Sequence, residues 1–142
     1  MSEEAVGAAT LRASTLEQAS AWFYRLVAAS CMLFGLSYWV RLVGYYGVDL
    51  WRFDLMPVHW QVASVVLAVL FPFAASGLWM VATWGPVIWF ICAAAEAVMY
   101  LGLPELFGSR PGLIAVHAAT LLVFLWFGVG LHLEARRRHA EY

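Results

Sequence analysis

The stretch FICAAAEAVMYLG, residues Phe90 to Gly102, sets a single carboxylate, Glu96, inside an otherwise apolar run. A charge at the centre of a bilayer costs about 3 kcal/mol on insertion scales, so an acid in such a run is expected to face the interior of a bundle and to have a partner there. Ala93 and Ala97 flank it at helical spacing and allow a neighbouring helix to approach closely, which turns Glu96 inward with them. The run therefore reads as one membrane-spanning helix packed among others.

The rest of the chain agrees. Of its 142 residues, 64% are hydrophobic and only 12% charged, and the mean hydropathy is +0.79, far from soluble averages. Four apolar segments separate at about 21–44, 58–82, 86–103 and 112–133, each close to the ~20 residues that cross a hydrocarbon core. Backbone polar groups at that depth must be satisfied within the segment, so the predicted fold is all-α: an integral membrane four-helix bundle of antiparallel, up-down topology. Pro57 and Pro111 stand at helix starts, and Trp84-Gly85-Pro86 makes a tight connection between the second and third spans. Pro72 lies inside the second span, where its missing N–H should bend the helix and free a carbonyl.

Residues 1–20 are expected to form a cytoplasmic tail, with 9–20 either frayed or a short surface helix that turns Leu11 and Leu16 to lipid. The start of the sequence is acidic and lacks the basic n-region of a secretory signal, so it is expected to stay on the mature protein. Residues 134–142 are expected as a basic cytoplasmic tail whose Arg136, Arg137 and Arg138 meet anionic lipid. All eight cations are Arg. An even span count puts Arg12, Arg25 and the terminal cluster on one side, against Arg41, Arg52 and Arg110 on the other, which predicts both termini cytoplasmic.

Intramembrane ionisable residues are the candidates for function. On the predicted spans Glu96 lies about 10 Å and His117 about 7–8 Å below the same boundary. The two belong to consecutive helices and are expected to meet. Ser37, Tyr38 and Arg41 at the outer end of the first span, and His59, Gln61 and Ser64 at the start of the second, add polar groups to the same half. Glu96, His117, Arg41 and His59 are thus the candidate ligand or proton-relay residues. Axial ligation of haem by His59 and His117 is disfavoured by their unequal depths. Cys31 and Cys92 lack metal or redox spacing and read as packing residues. Ala115 with Ala119, and Ser64 with Ala68, repeat the small-residue spacing seen at Ala93 and Ala97.

The loop GVDLWRFDLMPVHWQ mixes aromatics and both charge signs beside the membrane. Trp51, Arg52 and Phe53 are its candidate partner-binding residues, with Arg52 pairing to Asp54 and stacking on Trp51 as the simpler account. No phosphate loop, zinc-protease or nucleophile-elbow motif, metal cluster or catalytic pair of carboxylates occurs. The chain is accordingly expected to be no enzyme and to need no cofactor or metal. Its near-neutral net charge of -1 gives no face for nucleic acid.

The segments LWRFDLMPVHWQ and WGPVIWFICAAAEAVMYLGLPELFGSRP carry a resemblance to an uncharacterised family of short four-helix inner-membrane proteins of alphaproteobacteria, over roughly residues 22–133. The overall architecture is also similar, by analogy, to DoxX-like small membrane proteins. The resemblance implies a bacterial inner-membrane location and no particular activity. Two functions remain open: a non-enzymatic accessory, assembly or scaffold subunit that binds another membrane or envelope protein or its own copy, and a small ligand-binding or proton-linked transport module built on Glu96 and His117.

Overall fold

The computed structural model describes residues 14–47 and 49–140, apart from the side chain of residue 49. The elements are α1 (Thr15–Val43), α2 (Val58–Trp79), α3 (Gly85–Ala97), a short α4 (Pro104–Phe107) and α5 (Pro111–Ala140), with a 3-10 turn at Asp49–Trp51. Helices α1, α2, α5 and α3 with its continuation to Gly102 are long and apolar enough to cross a membrane. The described residues contain no strand.

α1 opens on a capping box, in which the Ser14 hydroxyl accepts the Glu17 N–H and the Glu17 carboxylate accepts the Ser14 N–H. Among the described residues, the expected surface helix is not separate from the first span. Residues 15–20 are the opening turns of α1, and Leu16 packs against Gly130 of α5 instead of facing lipid. Leu11 and residues 9–13 lie outside the described residues. The expected basic tail is likewise helical as far as Ala140, because α5 continues past residue 133. There Arg138 reaches Glu17 at 3.0 Å and Glu134 at 3.1 Å, and Ser14 donates to Glu134 at 3.0 Å, fastening α1 to α5. Exposed pairs of this kind contribute at most about 1 kcal/mol.

Close approach between helices rests on glycine. A Cβ on Gly35 would stand 2.7 Å from Pro72 Cδ, and one on Gly85 would stand 2.6 Å from the carbonyl carbon of Gly77, so the backbone of α1 meets the Pro72 ring of α2, and α2 meets α3 backbone to backbone. Pro72 leaves α2 unbroken between Val58 and Trp79. Its missing N–H frees the Ala68 carbonyl, and the indole N–H of Trp39 on α1 donates to that oxygen at 3.0 Å. A backbone defect in one helix thus becomes a hydrogen bond to the next.

The third span departs from the expected plain α-helix over 86–103. It is α-helical only to Ala97, and Val98–Gly102 form a wider π turn closed by the Leu103 N–H on the Val98 carbonyl at 3.0 Å. α5 is the least covered helix: His117, Phe124 and Phe127 are its buried residues. Ala115 and Ala119 are exposed, so the small-residue pair expected to draw α5 close does not do so. Outward-facing side chains are largely apolar, among them Leu33, Val62, Val69, Leu122 and Trp126. That is the surface a lipid-embedded bundle presents, because lipid offers no hydrogen bonds to polar groups.

Candidate functional site

The buried stripe of α1 runs Ala28, Cys31, Gly35, Tyr38 and Arg41, spaced by three and four residues. The stripe of α3 holds Trp89, Cys92, Ala93 and Glu96, and α5 adds His117. Where the three meet, Glu96 is 1% exposed, buried as deeply as the core phenylalanines, and such a carboxylate persists only with its oxygens satisfied. Both are. Tyr38 Oη donates to Oε1 at 2.7 Å, and His117 Nε2 lies 2.6 Å from Oε2. One helix thus supplies the acid, and two others supply its partners.

The surrounding wall is aromatic. Phe71 stacks on both Phe34 and Tyr38, with centroids 5.5 Å and 6.0 Å apart. Trp89 sits 6.1 Å from the His117 ring, edge to face. The free cysteines Cys31 and Cys92 are buried beside the acid and complete the packing. No group of three or more potential metal ligands gathers among the described residues.

Of the four candidate site residues, the structure brings together Glu96 and His117 and separates the other two. Arg41 makes no hydrogen bond to Glu96. Its guanidinium instead lies over Trp51 at 4.6 Å, Trp60 at 5.0 Å and Tyr38 at 5.5 Å, with Nε and Nη1 lacking a hydrogen-bond partner among the described residues. Cation–π contact replaces an ion pair there. His59 stands apart from the acid, with Nε2 3.1 Å from the Leu106 carbonyl oxygen and its ring edge-on to Phe107 of α4. It latches the start of α2 to the connection before α5.

Tyr38, grouped from sequence with the polar residues of the same half, was not among the candidate site residues, yet it donates to the acid. Its position three residues before Arg41 and three after Gly35, on the buried stripe of α1, was the signal that could have placed it.

The loop residues divide as well. Trp51 turns inward, covering Arg41 and meeting Tyr46 edge to face at 5.5 Å, so it is Arg41 and not Arg52 that stacks on it. Arg52 instead grips Asp54 at 3.1 Å and 2.6 Å, holding that exposed carboxyl below its ordinary range by hydrogen bonding. That contribution is present at neutral pH and fades as the pH falls through the depressed value. Phe53 stays exposed, and its carbonyl accepts the Gln61 amide at 2.9 Å.

Between α3 and α5 runs an apolar groove of about 420 Å³, walled by Trp89, Ala93, Ala94, Ala97, Ala118 and Leu121, with the His117 ring in its lining. The buried acid therefore connects through His117 to a surface open on the lipid-facing side of the bundle.

A protein family described as "Family of unknown function (DUF6163)" matches residues 18–135. No curated protein and no solved structure matches the chain.

Proposed function

The chain belongs to DUF6163, a family of unknown function, and from that premise we propose that it is a non-enzymatic integral membrane protein whose working part is a buried proton-holding site, Tyr38–Glu96–His117. The observation that carries this reading is the coordination of Glu96: a carboxylate sealed from water, with one oxygen on a hydroxyl and the other 2.6 Å from an imidazole. A carboxyl and an imidazole at that distance exchange a proton along a single hydrogen bond, and the groove gives the imidazole a route outward. Ligand binding or proton-linked transport is the corresponding activity. Transport through so few helices calls for assembly with further copies.

The setting proposed is a bacterial inner membrane, with antiparallel spans and both termini cytoplasmic, so that Glu96 lies in the outer half. The support is the arginine distribution. Arg136 and Arg137 then face anionic lipid, whereas Arg138 is already engaged by Glu17 and Glu134. An accessory or scaffold role beside a larger membrane or envelope complex is the second reading. It is favoured by α5, whose apolar length is mostly uncovered, and by the exposed Phe53. Recovery of a stoichiometric partner from native membranes supports it.

Infrared difference spectroscopy of the protein in nanodiscs, with Glu96→Gln as the blank, tests the first reading. A Glu96 carboxyl or carboxylate band that is absent from the blank and moves on His117→Phe is expected. A Glu96 signal indifferent to His117→Phe contradicts a proton-holding role and leaves the network as a structural rivet.

A further inference from the structure

We infer that the α3–α5 groove is a binding site for a neutral lipophile that carries a carbonyl oxygen within the hydrocarbon layer, of which a prenylated benzoquinone is the simplest representative, and that His117 Nδ1–H is its donor. The inference rests on the reading of Glu96 and His117 as a proton-holding pair and adds to it the class of molecule that the pair meets.

The first argument is an unfinished hydrogen bond. His117 spends Nε2 on Glu96, and its other nitrogen has no partner among the described residues. The ring lines the groove and is not sealed. In lipid no water stands ready to satisfy that atom.

The second argument fixes its polarity. A buried pair is electroneutral in two arrangements: carboxylate with imidazolium, or carboxylic acid with neutral imidazole. In the first, both ring nitrogens carry hydrogen. In the second, Nε2 accepts the acid proton, so Nδ1 again carries hydrogen. Either way Nδ1 is a donor, and the complementary ligand atom is an acceptor. Arg41 makes no hydrogen bond to Glu96, and its guanidinium sits beyond Tyr38 among aromatic rings; were its charge alone to balance the carboxylate, Nδ1 would accept instead and the reduced, hydroxyl-bearing ligand would bind the tighter.

The third argument selects among acceptors. His117 is about 9 Å along the axis from Pro111, the first residue of α5. Ester carbonyls of bulk phospholipid lie at the headgroup boundary and not at that depth. A head group that is itself lipid-soluble reaches it. The alanines at positions 93, 94, 97 and 118 leave a flat, shallow wall, and Trp89 and Leu121 supply apolar contact for a ring and tail. Among the described residues, no Asp, Glu, Lys or Arg lines the groove, so a charged ligand would meet only an overall neutral Glu96–His117 pair there.

The test uses the full chain in phospholipid nanodiscs, titrated with a benzoquinone bearing a short prenyl tail. The corresponding hydroquinone and the tail hydrocarbon serve as comparison probes. Bound probe is counted after rapid separation from empty nanodiscs. The expected result is saturable uptake of the quinone, weakened about tenfold by His117→Phe, the loss of one hydrogen bond, and abolished by Ala118→Trp. The latter fills the groove from an exposed position and replaces none of Tyr38, Glu96 or His117. Uptake that never saturates, equal uptake by Ala118→Trp, or tighter binding of the hydroquinone than of the quinone overturns the inference. The infrared band of Glu96, recorded on the same samples, separates the two claims. A Glu96 band that responds to His117→Phe without saturable uptake removes the ligand and keeps the proton-holding pair, whereas a band that does not respond removes the pair on which the inference stands.

Discussion

At Glu96 the charge and its burial are reconciled by two hydrogen bonds from different helices, and their unequal chemistry makes their removal unequal. Tyr38→Phe leaves Oε1 with no donor in a dry site and is expected to destabilise the protein by about 1–3 kcal/mol. His117→Ala strips the acid of its basic partner and is expected to remove about 3–5 kcal/mol, the usual loss when one half of a buried pair is deleted. Reversible unfolding in mixed micelles measures both. Equal, negligible losses from the two substitutions would mean that the carboxyl is not held as described. The meeting of Glu96 with His117 was legible from the depth of each residue in its own span. The Tyr38 contact was not, because it depends on how far α1 is rotated about its axis, and apolar residues on every side of a lipid-facing helix blur that rotation. Arg41 misled for a related reason: a guanidinium near a buried acid suggests an ion pair, but three aromatic rings claim it first.

Between elements, Pro72 and Trp39 form a compensated defect. Trp39→Phe deletes the donor to the Ala68 carbonyl and is expected to lower stability by about 1 kcal/mol. In a Pro72→Ala background the helix regains its own N–H for that carbonyl, and the same Trp39→Phe change is expected to have little effect. A double-mutant cycle reads the difference, and equal effects in both backgrounds would refute the coupling. Gly35 is the second lever, since an added Cβ meets Pro72 where neither backbone can give way. Gly35→Ala is expected to destabilise by about 1–3 kcal/mol through overpacking. Hydropathy alone located the four long helices to within a few residues at most ends. It did not foresee the π turn after Ala97 or the short α4, because both are adjustments of backbone pitch and packing that leave composition unchanged. The continuation of α5 to Ala140 escaped notice because polar residues after position 133 resemble a solvated tail, although Arg138 uses them to grip α1.

For the whole molecule, the proposed topology, with antiparallel spans and both termini in the cytoplasm, would put the proposed proton-holding site in the outer half of the membrane. Alkaline phosphatase fused after Tyr142 is then expected to be inactive in intact bacteria, and strong activity would invert the topology. One end of the bundle is fastened by the Ser14, Glu17, Glu134 and Arg138 contacts and Trp51 covers Arg41 towards the other, while the α3–α5 groove reaches His117 from the side. Everything proposed for this protein depends on Glu96 and His117 being paired inside the bilayer. Nitrogen NMR of the His117 ring, recorded in lipid bilayers for the native chain and for Glu96→Gln, tests that pairing most directly. The account predicts a strongly hydrogen-bonded Nε2 in the native protein whose signal moves on substitution, while the Nδ1 signal retains its proton. Ring signals that are identical in the two proteins would contradict it.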